Sequence, residues 1–376
     1  MEQKKADIHD KIGVAVDLGS TTLAVSCMDM VSKKEISAFS FPNPQYRFGA
    51  DVITRIRHCI DDDEMITKLA NMVEESLMEK LREELKDSYC NICRIVYSGN
   101  TAMLHILRGL SVNGLAAAPF TPVDIEYKEE TKMENPTITV VYPPGFSAFV
   151  GADILTGAGF LQMGDTDAYD LLVDLGTNGE MLLLNKEHGY AASTACGPVF
   201  DHVLTGASYG SECIRAIANC VKRGLIDNTG KIKEPFFEKG IVIDNKFVIR
   251  QENVRNFQLA KAAIYAGIKC LCTKAEISLS DIQTVYISGG LGFYMDIKDA
   301  FTVKMLPEEF RGKVITSGNT SLEGAKKLLM AENIGEEHME KDDILFLYEN
   351  IRKRTESFEL ADMDKFQDIY MHSLDF

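Results

Sequence analysis

Two stretches of the chain repeat one alternation of apolar run, polar turn and apolar run. Residues 12–16 are apolar, Asp17-Leu18-Gly19-Ser20-Thr21-Thr22 forms a polar punctuation, and residues 23–28 are apolar again. In the second half, residues 171–173 lead into Asp174-Leu175-Gly176-Thr177-Asn178-Gly179, followed by residues 181–184. Short apolar runs around an Asp-Gly turn predict β-hairpins. Ile66, Leu69, Val73, Leu77, Leu81 and Leu85 fall on one face of a helix that the acidic residues 61–63 introduce. Residues 43–51 read as a loop leading into a helix, and residues 94–98 as a buried strand that Gly99-Asn100-Thr101 turns into a helix. Residues 124–136 are charged and read as a surface loop. The alternation over 137–142 predicts a strand, and 149–161 a helix. Gly164-Asp165-Thr166-Asp167 then breaks the pattern before the second hairpin. Beyond it, 253–275 predicts a long helix, 284–288 a strand and 320–331 a further helix.

With 376 residues the chain exceeds one small core. The expected division is 11–164, 168–318 and a tail 319–376, the first two sharing an opening hairpin followed by helices, as a duplication would leave them. The net charge of −16 speaks against a nucleic-acid footprint, which needs clustered Lys and Arg. Membrane partners receive no support either: no run approaches the roughly 18 apolar residues of a spanning helix. The polar start does not resemble a signal peptide, and nine cysteines in an odd, scattered set suit a reducing cytoplasmic location.

The doubled DxG turn carries the chemistry. A carboxylate at the mouth of each hairpin, Asp17 and Asp174, suits orientation of the waters around a phosphate-bound Mg²⁺. Gly19 and Gly176 allow the backbone to turn tightly, and the turn amides make an anion-binding concavity. Ser20, Thr21, Thr22, Thr177 and Asn178, with Gly179, add small neutral donors and room. One such turn is an ordinary turn; two with matching flanks are specific. Ser288-Gly289-Gly290, straight after a strand, leaves space for a flat adenosine against Gly289 and Gly290. Asp153 stands near a helix start, where it either serves the helix N-terminus or orients a water or hydroxyl at the γ-phosphate. Glu180 and Asp201 are weaker candidates, and Lys261, on the long helix, is either a nucleotide contact or a solvated lysine. Cys90-x-x-Cys93 and Cys270-x-Cys272 lack the spacing of an iron–sulfur or zinc site, and the second pair reads as core packing.

These blocks resemble the phosphate 1, phosphate 2 and adenosine motifs of the actin, sugar-kinase and heat-shock-chaperone (ASKHA) ATPases. The resemblance implies an α/β, duplicated actin-like (ribonuclease H-like) fold: two lobes with a nucleotide cleft between them. It puts Asp153 on the first connecting helix as the catalytic acid, and residues 321–330 on the second. More narrowly, NPQYRFGADVITRI (43–56), SGNTAMLHILRGL (98–110), APFTPV (118–123), FVGADILTGAG (149–159), VDLGTNGE (173–180), ACGPVF (195–200), VRNFQLAKAAIYAGI (254–268) and ISGGLGFYMD (287–296) resemble the reductive activators of corrinoid proteins. That resemblance implies an ATPase, with ATP and Mg²⁺, that helps return a partner corrinoid protein from Co(II) to Co(I), and it fits a homodimer. No iron–sulfur cluster is expected in this chain, so either a separate ferredoxin-like donor supplies the electron or the chain only couples ATP to a conformational change. A small-molecule kinase of the same fold and a non-hydrolysing ATP-gated binding module remain open at this point.

Overall fold

A computed structural model describes residues 11–49, 51–62, 64–132, 137–176, 178–194, 196, 210–243, 247–331 and 344–376. The chain folds into two compact units. One holds the residues up to Leu161 and then 320–353; the other holds 162–319 and 354–376. The segment beyond 319 is thus shared between the units.

The first unit is built on six strands: β1 (Ile12–Leu18), β2 (Thr22–Asp29), β3 (Glu35–Pro42), β4 (Ile92–Gly99), β5 (Lys128–Lys132) and β6 (Ile138–Tyr142), in the order β3-β2-β1-β4-β6-β5. β1, β2 and β3 are antiparallel neighbours, whereas β1, β4 and β6 run parallel. Parallel strands need crossovers that cover the sheet, so β1 and β4 are buried nearly throughout and read as continuous apolar runs. The helix Met65–Leu85 lays Leu69, Val73, Leu77, Leu81 and Leu85 inward, as its period predicts, while Ile66 stays half-buried.

The second unit repeats this winding with β7 (Tyr169–Leu175), β8 (Gly179–Leu184), β9 (Gly189–Thr194), β10 (Ile241–Ile243), β11 (Phe247–Ile249), β12 (Ile282–Ser288), β13 (Val314–Thr316) and β14 (Thr355–Ser357). Its six-stranded sheet runs β13-β12-β7-β8-β9-β14, with β7-β8-β9 antiparallel and β7, β12 and β13 parallel. Setting β1-β2-β3-β4-β6 against β7-β8-β9-β12-β13 gives one strand order twice. The duplication suggested by two hairpins therefore extends across both sheets.

Local departures from the sequence expectations have local causes. The charged stretch 124–136 contains β5, paired antiparallel to β6 at the sheet edge. Charges on an edge strand discourage further pairing, and they disguise the strand as a loop. The helix expected from 149 begins at Ala152, because the Ser147 hydroxyl accepts from the amides of Phe149 and Val150 and holds that segment in a turn. The helix expected after 51 is Val52–Asp61, capped by the loop's last residue, Asp51, whose carboxylate accepts from the Thr54 amide. Cys270 and Cys272 are buried in packing, as expected. No helix among the described residues is long and apolar enough to cross a membrane.

Candidate functional site

In the first unit the turn between β1 and β2 is held from behind. A Cβ on Gly19 would lie 2.5 Å from the Thr22 carbonyl oxygen, so the turn is too tight for any side chain there. The Asn43 side-chain amide donates to the Gly19 carbonyl at 2.9 Å, and the Asn43 backbone N–H donates to the Thr21 carbonyl at 2.8 Å. Between them, Arg55 Nη2 donates to the Ser20 carbonyl at 2.5 Å. Three successive carbonyls thus face the brace. In a planar trans peptide the N–H lies opposite the C=O, so the amides of Ser20, Thr21 and Thr22 face the other way, as an anion would require. Arg55 is fully buried, also donates to the Gly49 carbonyl and Gln45 Oε1, and burial pushes its guanidinium down to about 10, still charged at neutral pH. Ser20 is buried and takes a hydrogen bond from Asn100, while Thr21 and Thr22 are exposed.

Half-buried Asp17 is the last residue but one of β1. Its Oδ1 accepts from the Ser321 hydroxyl at 2.8 Å, and Ser321 lies 3.0 Å from the Ser98 hydroxyl, itself 2.8 Å from Thr156 Oγ1. Thr156 belongs to the helix Ala152–Phe160, whose first turn carries Asp153, and Thr156 Oγ1 donates to the Asp153 carbonyl at 3.1 Å. A hydroxyl chain therefore links the strand of Asp17 to the helix of Asp153. Two glycines bring these elements together: a Cβ at Gly151 would meet Asn100 and Gly99, and one at Gly324 would meet the Thr156 carbonyl. Gly324 lies on the helix Thr320–Leu329 that also presents Ser321.

The second unit builds the same arrangement. Asp174 is the last residue but one of β7, and its Oδ2 accepts from the Ser288 hydroxyl at 2.7 Å. Ser288 is the register partner of Asp174 on parallel β12, as Ser98 is of Asp17 on β4. Each serine precedes a glycine in close contact with the hairpin: a Cβ on Gly99 would meet the Leu18 carbonyl at 2.8 Å, and one on Gly289 the Leu175 carbonyl at 2.6 Å. Gly289 also has φ +81° and leaves 2.5 Å between that virtual Cβ and Asp174 Oδ1, whereas Gly290 has open space. The Gly176 amide donates to the Asn178 carbonyl at 3.0 Å and closes the turn. Gly179 starts β8 against Cys196, and buried Glu180 faces Asp174 across the hairpin. Thr177 and Asp201 lie outside the described residues.

Gly289→Ala is expected to fold with a displaced Asp174 and Leu175, and to lose at least tenfold in nucleotide affinity. Both a left-handed φ and two close contacts oppose the methyl group. Titration with a fluorescent ATP analogue checks this, and Gly290→Ala, with open space, is the control expected to bind normally.

One alternative is corrected. Lys261 is not solvated: its ammonium is fully buried and donates to the carbonyls of Ser373 and Asp375, both at 2.5 Å. The cavity beside it contains no residue of the DxG turns or of the 289–290 turn. Sequence reasoning missed Asn43, Arg55, Ser98, Ser288 and Ser321. A signal existed for two of them, since Tyr97-Ser98-Gly99 and Ile287-Ser288-Gly289 repeat one Ser-Gly step after an apolar strand.

Comparison with known proteins covers both halves of the chain. Residues 12–166 match the model of the RACo middle region, and 168–206 with 201–376 match the C-terminal domain of RACo, the ASKHA domain. The chain belongs to the RACo family. Among its relatives is the corrinoid activation enzyme RamQ of Eubacterium limosum, 29% identical over 428 residues, a match covering 96% of this chain and 69% of the relative. Another is the [Co(II) methylated amine-specific corrinoid protein] reductase of Methanosarcina barkeri, 22% identical, covering 97% and 77%. A solved reductive activator for corrinoid, iron–sulfur protein superposes on this RACo-family chain with a TM-score of 0.85 at 26% identity, covering 99% of it and 67% of the solved chain. The α/β, actin-like fold expected from the DxG motifs is thus the fold of the family.

Proposed function

We propose that this RACo-family chain is an ATPase that supports reduction of a partner corrinoid protein from Co(II) to Co(I), the electron coming from a separate ferredoxin-like donor. The observation that carries the nucleotide reading is the matched pair of DxG carboxylates, each one residue before the end of its strand and each accepting a hydrogen bond from a serine hydroxyl. The names of the relatives supply the reaction.

Mg²⁺ is held by one or two carboxylates, with waters and phosphate oxygens completing its shell. Asp17 and Asp174 suit that donor set: each is half-buried and has its orientation set by a serine hydroxyl. Bound there, the cation would neutralise phosphate charge. The turn amides of Gly19, Ser20, Thr21 and Thr22, with Gly176, Thr177, Asn178 and Gly179, would take phosphate oxygens. Gly289 and Gly290 would leave room for adenosine. Asp153 would orient the attacking water and receive its proton. Neither turn contains a lysine, so backbone dipoles and the cation supply the positive potential.

ATP can assist an unfavourable reduction only through differential binding of two states of the partner. About 5.5 kcal/mol of such difference swings a two-state population fully, equivalent to roughly 230 mV for one electron. Seven of the nine cysteines are buried, dispersed over both units, and Cys90 and Cys93 are the other two.

Mixing the chain with a Co(II) corrinoid protein and a reductant of insufficient potential is expected to give the Co(I) absorption spectrum only when ATP is added. An equal Co(I) yield without nucleotide would sink the reading. Phosphate transfer to a sugar or acid would replace it with a kinase.

A further inference from the structure

The second unit contains a cavity of about 490 Å³ away from the DxG turns, and its lining is basic in a strongly acidic protein. Lys261 and Lys269 enter it from the helix Gln251–Lys274, Lys304 from just past the helix Ile297–Thr302, and Lys365 from the start of the C-terminal helix Phe366–His372. Opposed to four lysines are the carboxylates of Asp368 and Asp375; His372 and Tyr265 also face the space. Among the described residues Lys269, Lys304 and Lys365 take part in no ion pair, although the chain carries 56 acidic residues against 40 basic ones. Lysines crowded together without carboxylate partners repel one another, an arrangement that an anionic occupant would relieve.

Lys261 lies beneath the floor, sealed from solvent, with its ammonium 5.5 Å from the centre of the Phe376 ring. An ammonium has three donors, and here two are taken by the Ser373 and Asp375 carbonyls. The third has no oxygen or nitrogen partner among the described residues. Tyr265, with the Lys269 ammonium 5.5 Å from its ring centre, and Ile369 supply apolar surface beside the charges. A volume in the range of small-molecule sites, apolar walls and convergent cationic groups together define the ligand class.

We propose that this cavity binds a small organic polyanion carrying phosphate or carboxylate groups, held by Lys269, Lys304 and Lys365 at its rim, with the charge of buried Lys261 beneath it. It is a second ligand site, distinct from the nucleotide site proposed above. Because Lys261 is tied to the carbonyls of the C-terminal segment, occupancy would also fasten residues 373–375 to the long helix.

A proton linkage gives the site a signature. Burial and the nearby Lys304 charge push the Lys261 ammonium down to about 7, with Asp375 opposing. Neutral Lys261 leaves the cavity with only its rim charges; protonation adds a positive charge beneath it. An anion prefers the charged form, so above about pH 7 binding must take up a proton, and affinity falls by up to about tenfold per pH unit. Below that pH the dependence on Lys261 vanishes.

Calorimetric titration of the full chain with pyrophosphate and, separately, citrate, in metal-free buffer at constant ionic strength, tests the site. One-to-one binding of at least one probe is expected, weaker by about tenfold or more in the double variant Lys304→Glu/Lys365→Glu, while ATP·Mg²⁺ affinity is unchanged. Both rim lysines are exposed, so the fold should survive. Binding of pyrophosphate alone assigns a phosphate ligand; binding of citrate alone assigns a carboxylate ligand. Lys261→Met, if it folds, should abolish the affinity loss above pH 7. Failure of both probes to bind, or binding indifferent to the charge reversals, overturns the site without touching the nucleotide reading.

Discussion

Asp153→Asn is expected to bind ATP as tightly as the parent chain and to hydrolyse it about 10²- to 10⁴-fold more slowly, the usual contribution of a positioned general base. Asparagine keeps the shape of the side chain, and its oxygen still accepts from the Ile154 amide, as Asp153 Oδ1 does at 3.0 Å. The helix start should therefore be preserved. What disappears is the ability to take a proton from water. The prediction separates Asp153 from Asp17, although the hydroxyl chain through Ser321, Ser98 and Thr156 connects their elements. Asp17→Asn removes a proposed metal-orienting charge and should weaken Mg²⁺-dependent ATP binding as well as turnover. Phosphate release and equilibrium binding, measured on both variants, distinguish the two roles. Unchanged turnover in Asp153→Asn would remove that residue from the mechanism.

Arg55→Met should lower stability by about 3 kcal/mol or more and weaken ATP binding together. The flexible methionine fills much of the same space, but the carbonyls of Ser20 and Gly49 and Gln45 Oε1 lose their donor. Leaving a buried acceptor unsatisfied costs about 1–3 kcal/mol. For a unit of this size that corresponds to a fall of roughly 6–12 °C in Tm. The functional loss follows from peptide planarity: once the Ser20 carbonyl is free to turn, the Thr21 amide turns with it and no longer stays aligned for a phosphate. Lysine cannot substitute, because a point charge does not reach three acceptors set around a planar fork. Differential scanning fluorimetry and ATP titration on Arg55→Met and Arg55→Lys check both parts. A Tm and affinity equal to the parent would show that the turn holds its shape without the brace.

The sequence by itself determined the two hairpins, the helix faces and the residues at the mouth of each turn. Those properties follow from spacing within a few residues: a period of two for half-buried strands, 3.6 for helices, and an Asp-Leu-Gly sequence where the chain reverses. β5 escaped because an edge strand needs no apolar face, so its charges read as a loop. The tertiary structure alone decided which groups hold the carboxylates and the turn. Ser321 reaches Asp17 across 304 positions of sequence, Ser288 reaches Asp174 across 114, and Arg55 reaches Ser20 across 35. Such pairs depend on strand register and on two helices brought close by Gly151 and Gly324, neither of which local periodicity encodes. Lys261 makes the same point in reverse. Its place on an amphipathic helix allowed either a ligand contact or solvent, and only the packing of the C-terminal segment over that helix turned it into a buried donor to main-chain carbonyls.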